Sequence, residues 1–178
     1  MRTYIMKYLL ILSFLISSAF SFGENLQSFE ADFVQTITDE TGKVLTYKGK
    51  MYTKRPSFVL WDYTYPQRAA KKLYLNDTRA VLVQPMLEQA TITEIRGGMN
   101  FFKILSSAKA VDDTHYLATY HKIDFILKQE NGVIISLSYE DELENKILII
   151  FSKQRQNRFI EDNLFRPKVP QDYDIIRP

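Results

Sequence analysis

Side chains able to carry out catalysis or to bind metal ions are few in this sequence, and their spacing is unfavourable. It contains two histidines, His115 and His121, and no cysteine. If both histidines lie on one strand, the strand rise separates them by about 20 Å, which is too far to share one metal ion. Glu88 and Glu94 form only the kind of acidic pair expected in any chain with 21 acidic residues. We therefore predict no metal site and no general acid–base pair.

Motifs that hold cofactors or activate nucleophiles are also missing. The sequence has no glycine-rich phosphate loop and no G-x-S-x-G turn. The lack of cysteine excludes a thiol nucleophile as well. We therefore expect a protein that binds a ligand rather than an enzyme, and we expect no cofactor.

The elements that position the remaining residues are predicted to be mostly strands. Aromatic and β-branched residues are frequent, and many segments alternate between apolar and polar side chains, which is typical of strands with one buried face. Phe29–Ile37 is the clearest example. Further strands are predicted at Val44–Lys54, Phe58–Tyr65, Leu73–Leu75, Ala80–Val83, Ala90–Glu94 and Lys146–Ser152.

A hairpin is predicted around Asn131-Gly132. Two alternating segments, Ile123–Leu127 and Val133–Tyr139, flank this dipeptide. Both turn residues tolerate positive φ angles, which makes Asn-Gly a strong hairpin signal. Asp39–Lys43 and Glu140–Glu144 are predicted to form two further turns.

One segment departs from the strand pattern. Met99–Ala108 follows Gly97-Gly98 and places Phe101, Phe102 and Leu105 on one face of a helix, which predicts a short amphipathic helix. A shorter helical turn is predicted around Glu24–Ser28. Many short strands with so little helix indicate a strongly curved antiparallel sheet or barrel. One short helix is a small cover for such a sheet, and we expect a cavity between them.

The N-terminus has the layout of a secretory signal peptide. Arg2 and Lys7 precede the apolar run Tyr8–Ile16, and Ala19 and Ser21 occupy the small-residue positions of a cleavage site. The apolar run is too short to span a bilayer. We predict a signal peptide at residues 1–21 and a single domain at residues 22–178.

Removal of the signal peptide changes the charge of the chain. Of 23 basic residues, Arg2 and Lys7 would be removed, leaving 21 basic and 21 acidic residues. A neutral protein has no overall electrostatic attraction to nucleic acid. The basic cluster Arg68–Lys72 is interpreted as a solvated surface. Because a bacterial lipoprotein attaches its lipid to a cysteine after the leader, the lack of cysteine predicts an unanchored protein.

Several short segments occur in an informative order. Lys54-Arg55-Pro56, by itself typical of a charged sheet edge, precedes Trp61, which is five residues after the proline. Glu88–Thr91 (EQAT) follows later. The beginning and the end of the domain contribute Phe29–Gln35 (FEADFVQ), Phe165-x-Pro167 and Pro170–Ile175. Together these segments resemble the periplasmic outer-membrane lipoprotein carrier family (LolA-like) over essentially the whole chain.

This resemblance implies a mainly β fold, an incomplete, half-open antiparallel β-barrel with short helices that form a lid over an apolar cavity. Arg55 corresponds to the family arginine that hydrogen-bonds the lid and holds the empty cavity shut, and we call this predicted role the lid latch. Val59 stands where other members carry phenylalanine. The predicted lipid-binding cavity residues are Phe33, Val59, Trp61, Tyr63, Phe101, Phe102 and Leu105.

The resemblance also implies a function. Such a protein is a monomeric, soluble periplasmic carrier that receives acylated lipoproteins from an inner-membrane ABC-type release complex and delivers them to an outer-membrane receptor. Two alternatives share the fold. The receptor itself is usually lipid-anchored, which the missing cysteine disfavours. A periplasmic lipid-sensing interaction module usually carries a second domain, for which the chain has no room.

Overall fold

The computed structural model describes Gly23, residues 25–95 and residues 100–178. The predicted signal peptide and Gly97-Gly98 lie outside the described residues. The strands are β1 (Ser28–Thr38), β2 (Val44–Lys54), β3 (Phe58–Tyr65), β4 (Lys71–Leu75), β5 (Arg79–Gln84), β6 (Gln89–Glu94), β7 (Lys109–Ala110), β8 (His115–Tyr120), β9 (Ile123–Glu130), β10 (Val133–Glu140), β11 (Lys146–Gln156) and β12 (Asp174–Ile176). The helix α1 spans Phe101–Ser107, and short 3₁₀ helices span Gln67–Ala69, Pro85–Leu87 and Asp162–Phe165. Within the described residues, none of the helices has the length and apolar character needed to span a bilayer.

All twelve strands belong to one sheet, in the order β12-β6-β5-β4-β3-β2-β1-β11-β10-β9-β8-β7. Neighbouring strands are antiparallel except β12 and β6, which run parallel. Within the described residues β12 and β7 are the two edges and do not pair with each other, so the sheet stays open. This confirms the predicted mainly β, half-open antiparallel barrel.

Alternation along the strands divides the side chains between two faces. We call the face that α1 covers the concave face. The register places Phe33 of β1 opposite Gly49 of β2 and Phe151 of β11, and it places Trp61 of β3 opposite Met51 of β2. Phe33, Met51, Trp61 and Phe151 are buried in the main apolar core with α1, so the core lies between the concave face and the helix.

A second, smaller core lies on the opposite, convex face. Leu60 of β3 and Tyr74 of β4 are buried there with Ile160 and Phe165 from the chain that follows β11. The phenylalanine of the Phe165-x-Pro167 segment therefore covers the outside of the sheet, where its ring centroid lies 5.7 Å from that of Phe58.

Ion pairs on the convex face link neighbouring strands. Asp32 of β1 pairs with Lys153 of β11 at 2.8 Å and with Lys50 of β2 at 3.7 Å. Asp62 of β3 pairs with Lys72 of β4 at 2.7 Å. The hydrogen bond from Lys153 is the main cause that lowers the pKa of Asp32. Charged side chains therefore occupy the part of the convex face that the second apolar core does not cover.

The helical turn predicted at Glu24–Ser28 is wrong for its second half. Ser28 already belongs to β1, and only the hydrogen bond from Leu26 N–H to the Gly23 carbonyl makes a turn. The backbone carbonyls of Gln27 and Ser28 accept N–H groups from other parts of the sheet, Arg55 and Asn157. These long-range hydrogen bonds hold the segment in an extended conformation and override its local preference for a helical turn.

Candidate ligand-binding site

An aromatic cluster lies on the concave face of β1 to β3. The Phe33 ring makes edge-to-face contacts with Trp61 and Tyr63, at centroid distances of 5.0 and 5.2 Å. The Tyr63 ring in turn contacts that of Tyr47 of β2 at 5.9 Å. Burial raises the pKa of Tyr63, with smaller contributions from neighbouring tyrosines. Apolar contact surface therefore continues from Phe33 to Tyr47.

Gly49 allows these rings to meet. It lies in β2 opposite Phe33, at a point where the register between β2 and β3 shifts. A Cβ atom at this position would overlap the backbone carbonyl oxygen of Asp62 and touch the Cα of Tyr63. A glycine in a strand often marks such a close backbone approach, and here the approach brings Tyr63 onto the ring of Phe33.

The helix α1 covers the core. Asn100 caps its N-terminus, because its side-chain oxygen accepts the backbone N–H of Lys103 at 3.1 Å, as asparagine N-caps commonly do. Phe101, Phe102 and Leu105 are buried with Ile104. The Phe101 ring lies 5.6 Å from that of Phe29 in β1. The amphipathic spacing seen in the sequence is thus satisfied by packing onto the sheet.

Arg55 joins three parts of the structure, in an arrangement that we call the lid junction. Its Nε donates to the carbonyl of Leu26 at 2.7 Å, and its Nη2 donates to the carbonyl of Gly23 at 3.2 Å. Its guanidinium carbon lies 4.8 Å from the centroid of the Phe102 ring. A Cβ atom on Gly23 would lie 2.7 Å from Cβ of Leu105, so the N-terminal segment also contacts α1 directly.

A second polar connection holds the beginning of α1. The Nδ2 of Asn100, a residue that is 3% exposed, donates to a carboxylate oxygen of Asp77 at 2.9 Å. Lys103 lies 3.8 Å from the same oxygen. Asp77 belongs to the turn between β4 and β5, so this connection joins α1 to a different part of the sheet from the one that Arg55 contacts.

The concave face continues beyond α1 onto β4, β5 and β6. Leu73 of β4 pairs with Leu82 of β5, and Leu82 pairs with Thr91 of β6. All three are only partly buried. An apolar surface that remains accessible beside a covered core is suited to an apolar ligand.

The structure brings together every residue that the sequence predicts for the cavity. The apolar core cluster under α1 includes six of them as buried residues and the seventh, Tyr63, as a partly buried one; the seven are Phe33, Val59, Trp61, Tyr63, Phe101, Phe102 and Leu105. Arg55 lies at the border of this cluster. Their roles in ligand binding and in lid closure stay predictions.

Three further residues were not predicted from the sequence. Asn100 was recognisable, since asparagine just before an apolar helical pattern is a typical N-cap. Asp77 gave no such signal, because its partner is far away in the sequence. Lys71 departs from the solvated surface expected for Arg68–Lys72, because the register places Lys71 opposite Tyr63 on the concave face. It is partly buried there.

The residues considered for metal binding or acid–base chemistry lie elsewhere. His115 contacts Asp112 at 2.9 Å, and backbone N–H groups of Thr114 and His115 together with this contact hold the pKa of Asp112 below its usual range. Asp112 is therefore a turn-stabilising residue. His121 has a φ angle of 49° in the turn between β8 and β9. Among the described residues, no three histidine or acidic side chains are grouped as a metal site.

Glu88 and Glu94 do not form a pair. Glu88 ends the 3₁₀ helix Pro85–Leu87, and Glu94 is the last residue of β6. The extended strand lies between them, so their positions at its opposite ends offer no shared acid–base site.

Fold and site together define a class of protein, an open β half-barrel whose apolar concave face lies under one short helix. Residues 24–168 match the family described as outer membrane lipoprotein carrier protein LolA. A protein of Wolinella succinogenes named outer-membrane lipoprotein carrier protein is 34% identical over 155 residues, which cover 86% of this chain and 89% of that protein. The chain therefore belongs to the outer membrane lipoprotein carrier protein (LolA) family.

A second relative agrees with this assignment, and a solved structure shares the fold. A Helicobacter pylori (strain HPAG1) protein of the same name is 37% identical over 156 residues, with 86% of this chain and 82% of that protein covered. The crystal structure of an uncharacterized conserved protein from Thermus thermophilus superposes with a TM-score of 0.53 over 86% of this chain and 92% of that one. Its sequence identity is 8%, and this similarity concerns the fold alone.

Proposed function

We propose that this protein is a periplasmic carrier that holds the acyl chains of lipoproteins on its concave face. The observation that carries the proposal is the aromatic and aliphatic core shared by β1–β3 and α1, together with the contacts of Arg55 with Phe102 and of Asn100 with Asp77 that hold α1 in place. Relatives named outer-membrane lipoprotein carrier protein support this ligand class. As in the family, the role is transport and not catalysis.

An acyl carrier must bind strongly and still release its ligand. Burial of one chain of roughly 14 carbons contributes about 10 kcal/mol, at ~0.8 kcal/mol per methylene. Release from such a site needs a competing state. In the closed state the rings of Phe101 and Phe102 occupy apolar surface that a ligand would otherwise cover, and the apparent affinity falls with the fraction of protein that is open.

Arg55 is the proposed lid latch. Its fixed N–H donors hold two backbone carbonyls of the N-terminal segment while its planar face lies against Phe102. Arginine suits this arrangement, because one guanidinium has five donors and also stacks on aromatic rings. A ligand that displaces Phe102 breaks these contacts. Because the contacts form again when the ligand leaves, they favour its release.

The route of the ligand follows from this role. We propose that residues 1–21 are a signal peptide and residues 22–178 a single monomeric domain in the periplasm. The carrier takes acylated lipoproteins from an inner-membrane ABC-type release complex and passes them to an outer-membrane receptor. The balance of 21 basic and 21 acidic residues after processing suits a protein that travels without binding nucleic acid or membrane surfaces.

The single tryptophan, Trp61, provides a direct test. Trp61 is 6% exposed and contacts Phe33, so an acyl chain that enters the core must approach its indole ring. Stearate brominated in its chain should quench Trp61 fluorescence in a saturable manner, whereas unbrominated stearate should not. Equal emission with both ligands would contradict an acyl site on this face.

The carrier role itself requires a transfer assay. The protein is incubated with inner-membrane vesicles that contain a labelled lipoprotein and an active release complex. A soluble complex of lipoprotein and carrier is the expected product. A label that stays entirely in the membrane would overturn the proposal.

A further inference from the structure

Lys71, the first residue of β4, points onto the concave face. It pairs with Tyr63 in the antiparallel ladder, two positions before Leu73 pairs with Trp61. Its neighbour Lys72 points to the convex face and pairs there with Asp62 at 2.7 Å. Two consecutive lysines thus lie on opposite sides of the sheet, one among charged groups and the other among aromatic rings.

No other charged side chain shares this face of β1 to β6. The register directs onto it only apolar, aromatic, neutral polar or glycine residues besides Lys71. A charge on a largely apolar face is costly unless a partner compensates it. Lys71 therefore calls for a physical explanation.

The contacts of Lys71 compensate its charge only in part. Its Nζ lies 5.0 Å from the ring centroids of both Tyr47 and Tyr63, within the range of cation–π attraction. Within the described part of the chain, no carboxylate forms an ion pair with it. Burial lowers the pKa of Lys71. The ammonium group is thus partly desolvated, and no carboxylate of the described residues compensates its charge.

We propose that Lys71, held between Tyr47 and Tyr63, binds the anionic group of an acylated ligand. This inference rests on the proposed acyl-carrier function and specifies the ligand chemistry: an acyl chain that carries a carboxylate or phosphate near its polar end. The acyl chain lies along Trp61 and Phe33, and the anion lies at Lys71, about 7 Å farther along the strand. An acidic residue beside the acylated end of a lipoprotein supplies a carboxylate, and a phospholipid head group supplies a phosphate.

The test compares three probes with the same acyl chain, each below its critical micelle concentration. Palmitate offers a carboxylate, palmitoyl lysophosphatidate offers a phosphate, and monopalmitoylglycerol is neutral. Dissociation constants are measured by Trp61 fluorescence and by calorimetry for the wild-type protein and for Lys71→Met, Lys71→Arg and Lys72→Met. Lys72→Met removes the same charge from the opposite face and is the matched control.

Lys71→Met should weaken binding of one or both anionic probes roughly ten- to hundredfold, as expected for the loss of a hydrogen bond to a charged group. Binding of the neutral probe should not change. Lys71→Arg should retain most of the anionic affinity, and Lys72→Met should behave like wild type. The probe that loses affinity identifies the anion as carboxylate or phosphate.

Two results would overturn the inference in distinguishable ways. Equal affinities of wild type and Lys71→Met for all three probes would show that acyl chains bind without an anion site. If none of the probes binds to wild type, the acyl-carrier proposal fails and the anion site fails with it. Thermal unfolding controls for misfolding. Because methionine has a similar length to lysine and no charge to bury, Lys71→Met should unfold at an unchanged or higher temperature.

Discussion

The guanidinium carbon of Arg55 lies 4.8 Å from the centroid of the Phe102 ring. The same guanidinium donates to the carbonyl of Leu26, so one side chain connects the β2–β3 turn, α1 and the segment before β1. Both α1, which spans seven residues, and the segment before β1 are short. The docking of α1 on the sheet therefore depends on a few identifiable contacts, each of which can be removed separately.

Arg55→Leu should open the lid junction. The loss of two hydrogen bonds and a cation–π contact destabilises the closed state by roughly 1–3 kcal/mol. The affinity for an acyl probe should rise about tenfold, since more of the protein is open, and transfer of bound lipoprotein to acceptor membranes should slow. Fluorescence titration and a transfer time course measure the two effects.

Lys54→Met is the control for this change. Lys54 also donates to a carbonyl, that of Ile160, and pairs with Asp162 at 2.6 Å, but both partners belong to the chain after β11. Its removal should leave acyl affinity unchanged. If Arg55→Leu transfers lipoprotein at the wild-type rate, Arg55 is not a lid latch.

Gly23→Ala should loosen α1 by a steric route. A methyl group at this position would meet Leu105 at 2.7 Å from Cβ to Cβ, and Gly23 has a φ angle of 78° that alanine adopts poorly. Gly42→Ala is a matched control, because Gly42 has a φ angle of 82° with no atom within 4 Å of an added Cβ. Hydrogen exchange of the α1 amides should accelerate in the first variant only; equal exchange in both would contradict the contact.

Asp77→Ala should weaken the docking of α1 more than Lys103→Ala does. The first change leaves the buried Nδ2 of Asn100 without its acceptor, which costs about 1–3 kcal/mol. The second removes an exposed pair at 3.8 Å, worth about 0.5 kcal/mol or less. Urea unfolding and exchange of α1 amides measure the difference, and equal effects would show that the charge pair, rather than the hydrogen bond between Asn100 and Asp77, fixes the helix.

Asp32→Asn should lower stability at neutral pH but not in acid. The ion pair and hydrogen bond with Lys153 depress the pKa of Asp32 in the folded protein below its ordinary value of 3.8. Its stabilisation is therefore complete above about pH 5 and disappears as the pH falls through the folded pKa. Two exposed ion pairs should contribute about 1 kcal/mol or less at pH 7.

Urea midpoints at pH 7 and in acid test this pH dependence. Asp113→Asn is the control, because Asp113 forms no ion pair among the described residues. A loss from Asp32→Asn that does not change with pH would show that the ion pairs contribute nothing.

Much of the sheet was predictable from the sequence. Val44–Lys54 and Phe58–Tyr65 form strands with the predicted bounds, because long alternation and the prolines at 56 and 66 mark them clearly. The strand His115–Tyr120 was not predicted. Its outer positions include Leu117, which is 41% exposed, so its two faces differ little in polarity. The strand Asp174–Ile176 has no buried residue and is held by its backbone pairing with β6, so its sequence shows no alternation between a buried and an exposed face.

Residues of the candidate site were predictable where an apolar side chain occupies a buried, inward-facing position. Phe33, Trp61 and Phe101 occupy inward positions of regular elements, and their apolar side chains indicate that orientation. Lys71 could not be recognised, because a charged residue at an inward strand position contradicts the alternation rule. The contact of Asp77 with Asn100 could not be predicted either, because it depends on where the turn between β4 and β5 lies in three dimensions.

The edges of the sheet have a consequence for self-association. An open sheet exposes backbone donors and acceptors along its outermost strands, where another copy can pair and begin to aggregate. Here β7 has two residues and β12 has three, so each outermost strand by itself offers little backbone for such pairing. Among the described strands β12 is the last in chain order, and Gln89–Thr91 of β6 gains its partner only when this segment folds back. Protection of this stretch of β6 against other copies therefore depends on a three-residue strand that is distant in the sequence and held mainly by its backbone pairing.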